Sequence, residues 1–75
     1  MVTLRLINLD DVKDYLKRVD NCDYDITLTK GKFSTDGRSL MGILAMLGGI
    51  DIIAHIQEEF IEDFKSRCSD YIVET

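Results

Sequence analysis

Few side chains in this sequence are of types and spacings that could carry chemistry. Ser39 follows Arg38 and opens the uncharged run from Ser39 to Ile50, so its hydroxyl sits where a helix would begin. A phosphate on that hydroxyl would meet the backbone N–H groups of a first helical turn and the neighbouring guanidinium, which makes Ser39 a candidate for regulatory phosphorylation. The helix is expected to be capped by Asp36 or Ser39, and plain capping is the favoured role of this hydroxyl. His55 is the single histidine. It alternates with Asp51 on one face of a strand pattern, but four strand residues separate the two by about 13 Å, too far for a direct pair. Glu58 and Glu59 follow it and would repel a phosphate on its ring. His55 therefore reads as a solvent-facing sheet residue. Glu58, Glu59, Glu62 and Asp63 resemble a glycosidase or metal cluster only by composition, because first-turn acids and a solvated helix face account for them. Cys22 and Cys68 have neither CxxC spacing nor companion histidines, so two free thiols are expected, with no metal site and no redox pair. No nucleophile, acid and base converge anywhere. The expectation is a protein that is not an enzyme and needs no cofactor.

Composition sets the outer limits. The chain has 75 residues, enough for a single domain over 1–75 that buries only about 60% of the surface its unfolded form exposes. A net charge of -5 leaves no basic stripe for phosphates, so neither nucleic acid nor an anionic membrane surface is an expected partner. The first residues lack the basic flank and apolar stretch of a signal peptide. The run from Ser39 to Ile50 falls short of the roughly 20 residues of a spanning helix. A cytoplasmic location is the expectation from both observations.

The elements that would position these side chains follow from periodicity. Val2, Leu4 and Leu6 alternate with Thr3 and Arg5 as a first strand. Asn8 can cap a helix whose stripe is Val12, Tyr15, Leu16 and Val19, with Asp10 and Asp11 early and Lys17 and Arg18 late, as the helix dipole favours. Tyr24, Ile26 and Leu28 alternate with Asp25, Thr27 and Thr29, and Lys30-Gly31 supplies a turn into a short return strand containing Phe33. The apolar run then forms a helix ended by Gly48-Gly49. Within it Leu40, Ile43, Leu44 and Leu47 share one face, while Met41, Ala45 and Met46 lie on the remaining circumference, where a surface helix normally carries charge. Some of this helix is expected to face a partner. Ile50, Ile52, Ala54 and Ile56 mark a fourth strand, and Gln57 to Tyr71 a last helix with Phe60, Ile61, Phe64, Cys68 and Tyr71 inward. The expected fold class is α+β, an open-faced two-layer sandwich of order βαββαβα on a four-stranded antiparallel sheet.

That element order, the hairpin and helix from Ile26 to Leu44, and the stretch Arg38-Ser39-Leu40-Met41-Gly42 together resemble HPr, the histidine-containing phosphocarrier of bacterial sugar phosphotransferase systems. The stretch is similar to that family's succession of a basic residue, its regulatory serine, an aliphatic residue, Met and Gly. The resemblance implies an HPr-like fold, a kinase-modified Ser39, and an apolar patch of Leu40, Met41 and Leu44, flanked by Arg38 and Ser39, that docks on phosphotransferase proteins. The family's phosphoryl-accepting histidine lies in a Gly-aliphatic-His-Ala-Arg-Pro motif at the start of the first helix. Here that place holds Ile7-Asn8-Leu9-Asp10-Asp11, and the chain has no proline. The expected function is thus an HPr-like protein without the phosphoryl-accepting histidine, acting as a non-catalytic binding or regulatory relative. The alternatives are a carrier or kinase target modified on Ser39 or His55, and a protein that self-associates as a homodimer through its apolar helix.

Overall fold

The first alternating segment forms strand β1 (Val2–Leu4) in the computed structural model, which describes residues 1–47 and 51–73. Leu6 is buried just beyond it. Helix α1 (Leu9–Val19) starts where Asn8 accepts a hydrogen bond from the Asp11 N–H at 2.9 Å, and Asp11 in return accepts from the Ile7 N–H at 2.9 Å. This reciprocal pair satisfies one donor that the first turn leaves free and ties down the residue that enters the helix. Val12, Tyr15 and Val19 are buried and Leu16 packs partly against them, as the helical period predicts.

Strands β2 (Thr27–Lys30) and β3 (Phe33–Asp36) form the hairpin. Lys30 pairs with Phe33, so the turn residues are Gly31 and Lys32, one position later than the sequence suggests. Gly31 has φ 61° and no other residue type among those described has a positive φ, which is the type II′ pattern suited to strand twist.

Helix α2 (Leu40–Leu44) is shorter than the apolar run. Beyond it Met46 N–H bonds to Ile43 O at 2.9 Å and Leu47 N–H to Leu44 O at 3.4 Å, spacings of three rather than four residues. In such a tightened turn, side chains three apart eclipse. Met46 therefore swings under the buried Ile43 and is 1% exposed, which corrects its expected place on the outer circumference. Gly48-Gly49, the expected helix stop, and Ile50 of the expected fourth strand lie outside the described residues.

Strand β4 (Ile52–His55) buries Ile52 and Ala54. The last helix is divided: a 3₁₀ turn over Glu58–Phe60, helix α3 (Ile61–Arg67), and a second 3₁₀ turn over Ser69–Tyr71. Cys68 leaves the helical region at φ -110° and ψ 25°, and the chain then extends into β5 (Ile72–Val73). The sheet among the described residues thus has five strands in the order β3-β2-β4-β1-β5, every neighbouring pair antiparallel, rather than the expected four. Two residues are too few for an alternation signal.

The helices cover one face of this sheet. Phe64 and Tyr15, both fully buried, meet edge to face with ring centroids 6.4 Å apart and planes at 72°. Their apolar area is the main stabilising contribution available to so small a domain. The Tyr15 hydroxyl donates to Gly37 O at 2.9 Å, and burial pushes its ionisation well above the ordinary range. The other face carries Thr3, Thr27, Thr29, Ile53 and His55, which makes the α+β open-faced sandwich the observed architecture.

Candidate functional site

The close seating of α2 on β3 is set by glycine. A Cβ at Gly42 would collide with the Oγ1 and Cβ of Thr35, so no other residue allows this approach without movement. With that face and Ile43 turned inward, Met41 is left 77% exposed and Leu40 41% exposed. Phe33 alternates with Thr35 along β3, hence lies on the same side of the sheet, and is 42% exposed. These three are the exposed large hydrophobic residues of α2 and β3, and exposed apolar surface on a small protein is characteristic of contact sites. Leu40 also lines a shallow groove toward α1 with Lys13, Leu16, Lys17 and Asp20. Phe33 was not legible as part of this surface, although the parity of Phe33 and Thr35 across from Lys30 and Leu28 could have placed it there.

The remaining candidate residues are placed differently from one another. Leu44 packs partly against the core. Ser39 caps α2, its Oγ accepting from the Gly42 N–H at 3.2 Å. The Arg38 guanidinium turns away from Ser39 and donates to Val19 O at 3.3 Å, Cys22 O at 2.9 Å and Tyr24 O at 2.7 Å, closing the C-terminal end of α1. His55 Nε2 is 2.9 Å from Thr29 Oγ1 on the uncovered sheet face. Asp51 pairs with Arg5 at 2.9 Å instead of with the histidine. Cys22 is half-buried beside Arg38, and Cys68 is fully buried, its thiol pushed up to about 12 chiefly by that burial. Among the described residues no group of three metal-ligating side chains occurs, and no helix is long and apolar enough to cross a membrane.

The start of α1 is held by its cap. Asn8 takes the Asp11 N–H of the first turn, Asp11 takes the Ile7 N–H ahead of it, and Asp10 adds a second negative charge. An incoming phosphoryl group would meet the carboxylates of Asp10 and Asp11 there, which repel it.

The far ends of α1 and α3 are joined by a charged crossing. Arg18 Nη1 donates to Arg67 O at 3.2 Å, and Arg67 Nη1 donates to Arg18 O at 3.1 Å. Asp14 takes the Tyr71 hydroxyl at 2.6 Å and Arg18 at 2.9 Å, while Asp63 takes Arg67 at 2.7 Å and the Tyr24 hydroxyl at 2.8 Å. The Tyr71 hydrogen bond, with Arg18 behind it, holds the Asp14 carboxyl below its ordinary 3.8. Arg67 and then Tyr24 do the same for Asp63. Tyr71 is correspondingly pushed up to about 12 by its bond to Asp14.

Both carboxyls therefore release protons more readily folded than unfolded. Their contribution is complete above the unfolded value and is lost as pH falls through the folded values. Urea midpoints are expected to hold from neutrality down to about pH 4 and then to fall. Tyr71→Phe should make that acid fall shallower, and an unchanged acid arm in this variant would show that Asp14 is not held by the hydroxyl.

Comparison with known proteins finds no matching family, no matching curated protein and no matching solved structure.

Proposed function

We propose that this chain is a non-catalytic binding protein whose contact surface is centred on Met41, with Leu40 and Phe33 beside it. The observation that carries the reading is the exposure of Met41, 77%, on a helix that a Gly42–Thr35 contact fixes to the sheet. A flexible thioether on a rigid platform adapts to a partner at little cost in order. The candidate chemical groups each have a structural partner in the fold. Ser39 serves as a cap, Arg38 closes a neighbouring helix, and His55 is hydrogen-bonded to Thr29.

The narrower form of the proposal takes the partner to be a protein of a sugar phosphotransferase system, engaged by an HPr-like chain that cannot carry phosphate on a histidine at α1. Its support is the Arg38-Ser39-Leu40-Met41-Gly42 stretch, the element order, and the capped, acidic start of α1. Calorimetric titration of such proteins into this one is the direct test. Binding is expected for the native chain, weakened at least about tenfold by Met41→Asp, a loss of about 1.4 kcal/mol or more. The thermal midpoint of the free variant should stay within a few degrees, because an exposed substitution changes stability by about 0.5 kcal/mol. Undiminished binding by the variant would remove the surface. The carrier alternative is tested separately by incubation with phosphoenolpyruvate and the sugar-system phosphotransferase, or with ATP and the kinase. An unchanged intact mass is the expected result in both reactions.

A further inference from the structure

Strand β3 is an outer strand of the sheet, and the parity of its peptide groups is fixed by the hairpin. The residues flanking a two-residue turn exchange both main-chain hydrogen bonds, and the pattern repeats every second residue. Lys30 with Phe33, and Leu28 with Thr35, are therefore the bonded pairs. The Gly37 N–H donating to Ile26 O at 2.7 Å continues the same series. Ser34 and Asp36, between them, direct their N–H groups away from β2. The Asp36 carbonyl accepts the Ser39 N–H at 3.1 Å, whereas Ser34 presents both its N–H and its C=O along the edge. Phe33, Ser34 and Asp36 are exposed.

We propose that this edge pairs with the same edge of a second copy of the chain, antiparallel, about a two-fold axis passing between the two Ser34 residues. A self-complementary contact between sheet edges is antiparallel, and outward peptide groups at even-numbered positions allow only registers that set even positions against even ones. Four such registers are centred on the strand, and the one centred on Asp36 sets two like charges against each other. Those centred on Phe33 or on Thr35 set Lys32 or Asp36 against the Ser34 of the second copy and leave the charges unmatched. The register centred on Ser34 places Lys32 opposite Asp36 of the second copy, and by symmetry does so twice. It also sets Phe33 against Thr35 of the second copy, the residue on which that copy's Gly42 rests, so the exposed ring gains cover.

Charge complementarity thus selects the occupant. A lysine on a bare edge discourages indiscriminate strand pairing, and self-pairing in this register is the arrangement in which Lys32 is neutralised. The opposite edge, β5, offers two residues among those described. The contact shares Phe33 with the surface proposed around Met41 but rests on the peptide edge of β3, so Ser34→Pro and Met41→Asp tell the two apart.

Sedimentation over a concentration series is expected to show a monomer–dimer equilibrium. In hydrogen exchange the Ser34 amide should slow as concentration rises, while the Thr35 amide, already bonded within the hairpin, should not change. Ser34→Pro removes an outward donor without taking a bond from the hairpin, a position where an edge strand tolerates proline. It should weaken dimerisation at least about tenfold while the circular dichroism stays native. Lys32→Glu, a turn substitution that leaves the ladder intact, should weaken it as well and carries the test if the proline variant does not fold. A monomer at every concentration, a dimer that survives both substitutions, or a dimer abolished by Met41→Asp and untouched by Ser34→Pro would overturn the proposal.

Discussion

Phe64→Ala is expected to leave the chain largely unfolded at room temperature. Phe64 has no exposed surface and closes the core against Tyr15 from α3, the ring edges meeting at 72°. Removing a buried phenyl group costs about 3–5 kcal/mol, through lost transfer energy and the cavity left behind. A domain of this length has a total stability of only about 5 kcal/mol, near the lower end for folded proteins. The two quantities are comparable, so the folded population collapses. Far-ultraviolet circular dichroism and urea titration read this directly. Phe60→Ala is the companion: Phe60 stacks on Tyr24 with centroids 4.7 Å apart but is only half-buried, and its loss should lower the urea midpoint without abolishing the transition. A cooperative Phe64→Ala transition close to the native midpoint would mean that the core closes without this ring.

Much of this arrangement was legible because periodicity and burial agree wherever an element is long enough to show several repeats. The α1 stripe of Val12, Tyr15 and Val19, the Asn8 cap, the hairpin and the inward Ile52 and Ala54 all follow from spacing alone. What the spacing missed depends on short-range departures from ideal geometry. Met46 turned inward because the chain tightened after Leu44, and β5 appeared because Cys68 broke a helix whose apolar pattern continues through Tyr71. In the candidate site, Met41 was visible as an apolar residue without an apolar neighbour to face. The orientation of Arg38 was not, since it is decided by carbonyl groups at Val19, Cys22 and Tyr24 that converge only in three dimensions.

Gly42→Ala is expected to lower stability by about 1–3 kcal/mol, the usual cost of forcing an atom into a packed contact. In an exposed helix interior the same change would be favourable by about 1 kcal/mol, because alanine is the better helix former. The sign of the measured effect therefore decides between propensity and packing. Here the new methyl group meets Thr35 of a sheet strand, which cannot rotate away as the end of a long side chain would. A drop of about 4–8 °C in thermal midpoint for each kcal/mol is expected for a domain this small. A higher midpoint would show that α2 stands farther from β3 than the contact requires.

The crossing of Arg18 and Arg67 joins residues 49 positions apart, and the chain between them contains β2, β3, α2 and β4. Closing so long a loop before its contents are placed is entropically unfavourable, so a contact of this kind belongs late in the order of events. Interactions absent from the transition state act on escape from the native state and leave its formation unchanged. The crossed arginines are in that sense a brake on opening: Arg18→Met should raise the unfolding rate in stopped-flow denaturant jumps while the refolding arm keeps its position, and a slowed refolding arm would instead place the helix ends together from the start. What the reciprocal caps supply is persistence of the folded chain over time, a property that neither the apolar surface of α2 nor the open edge of β3 provides.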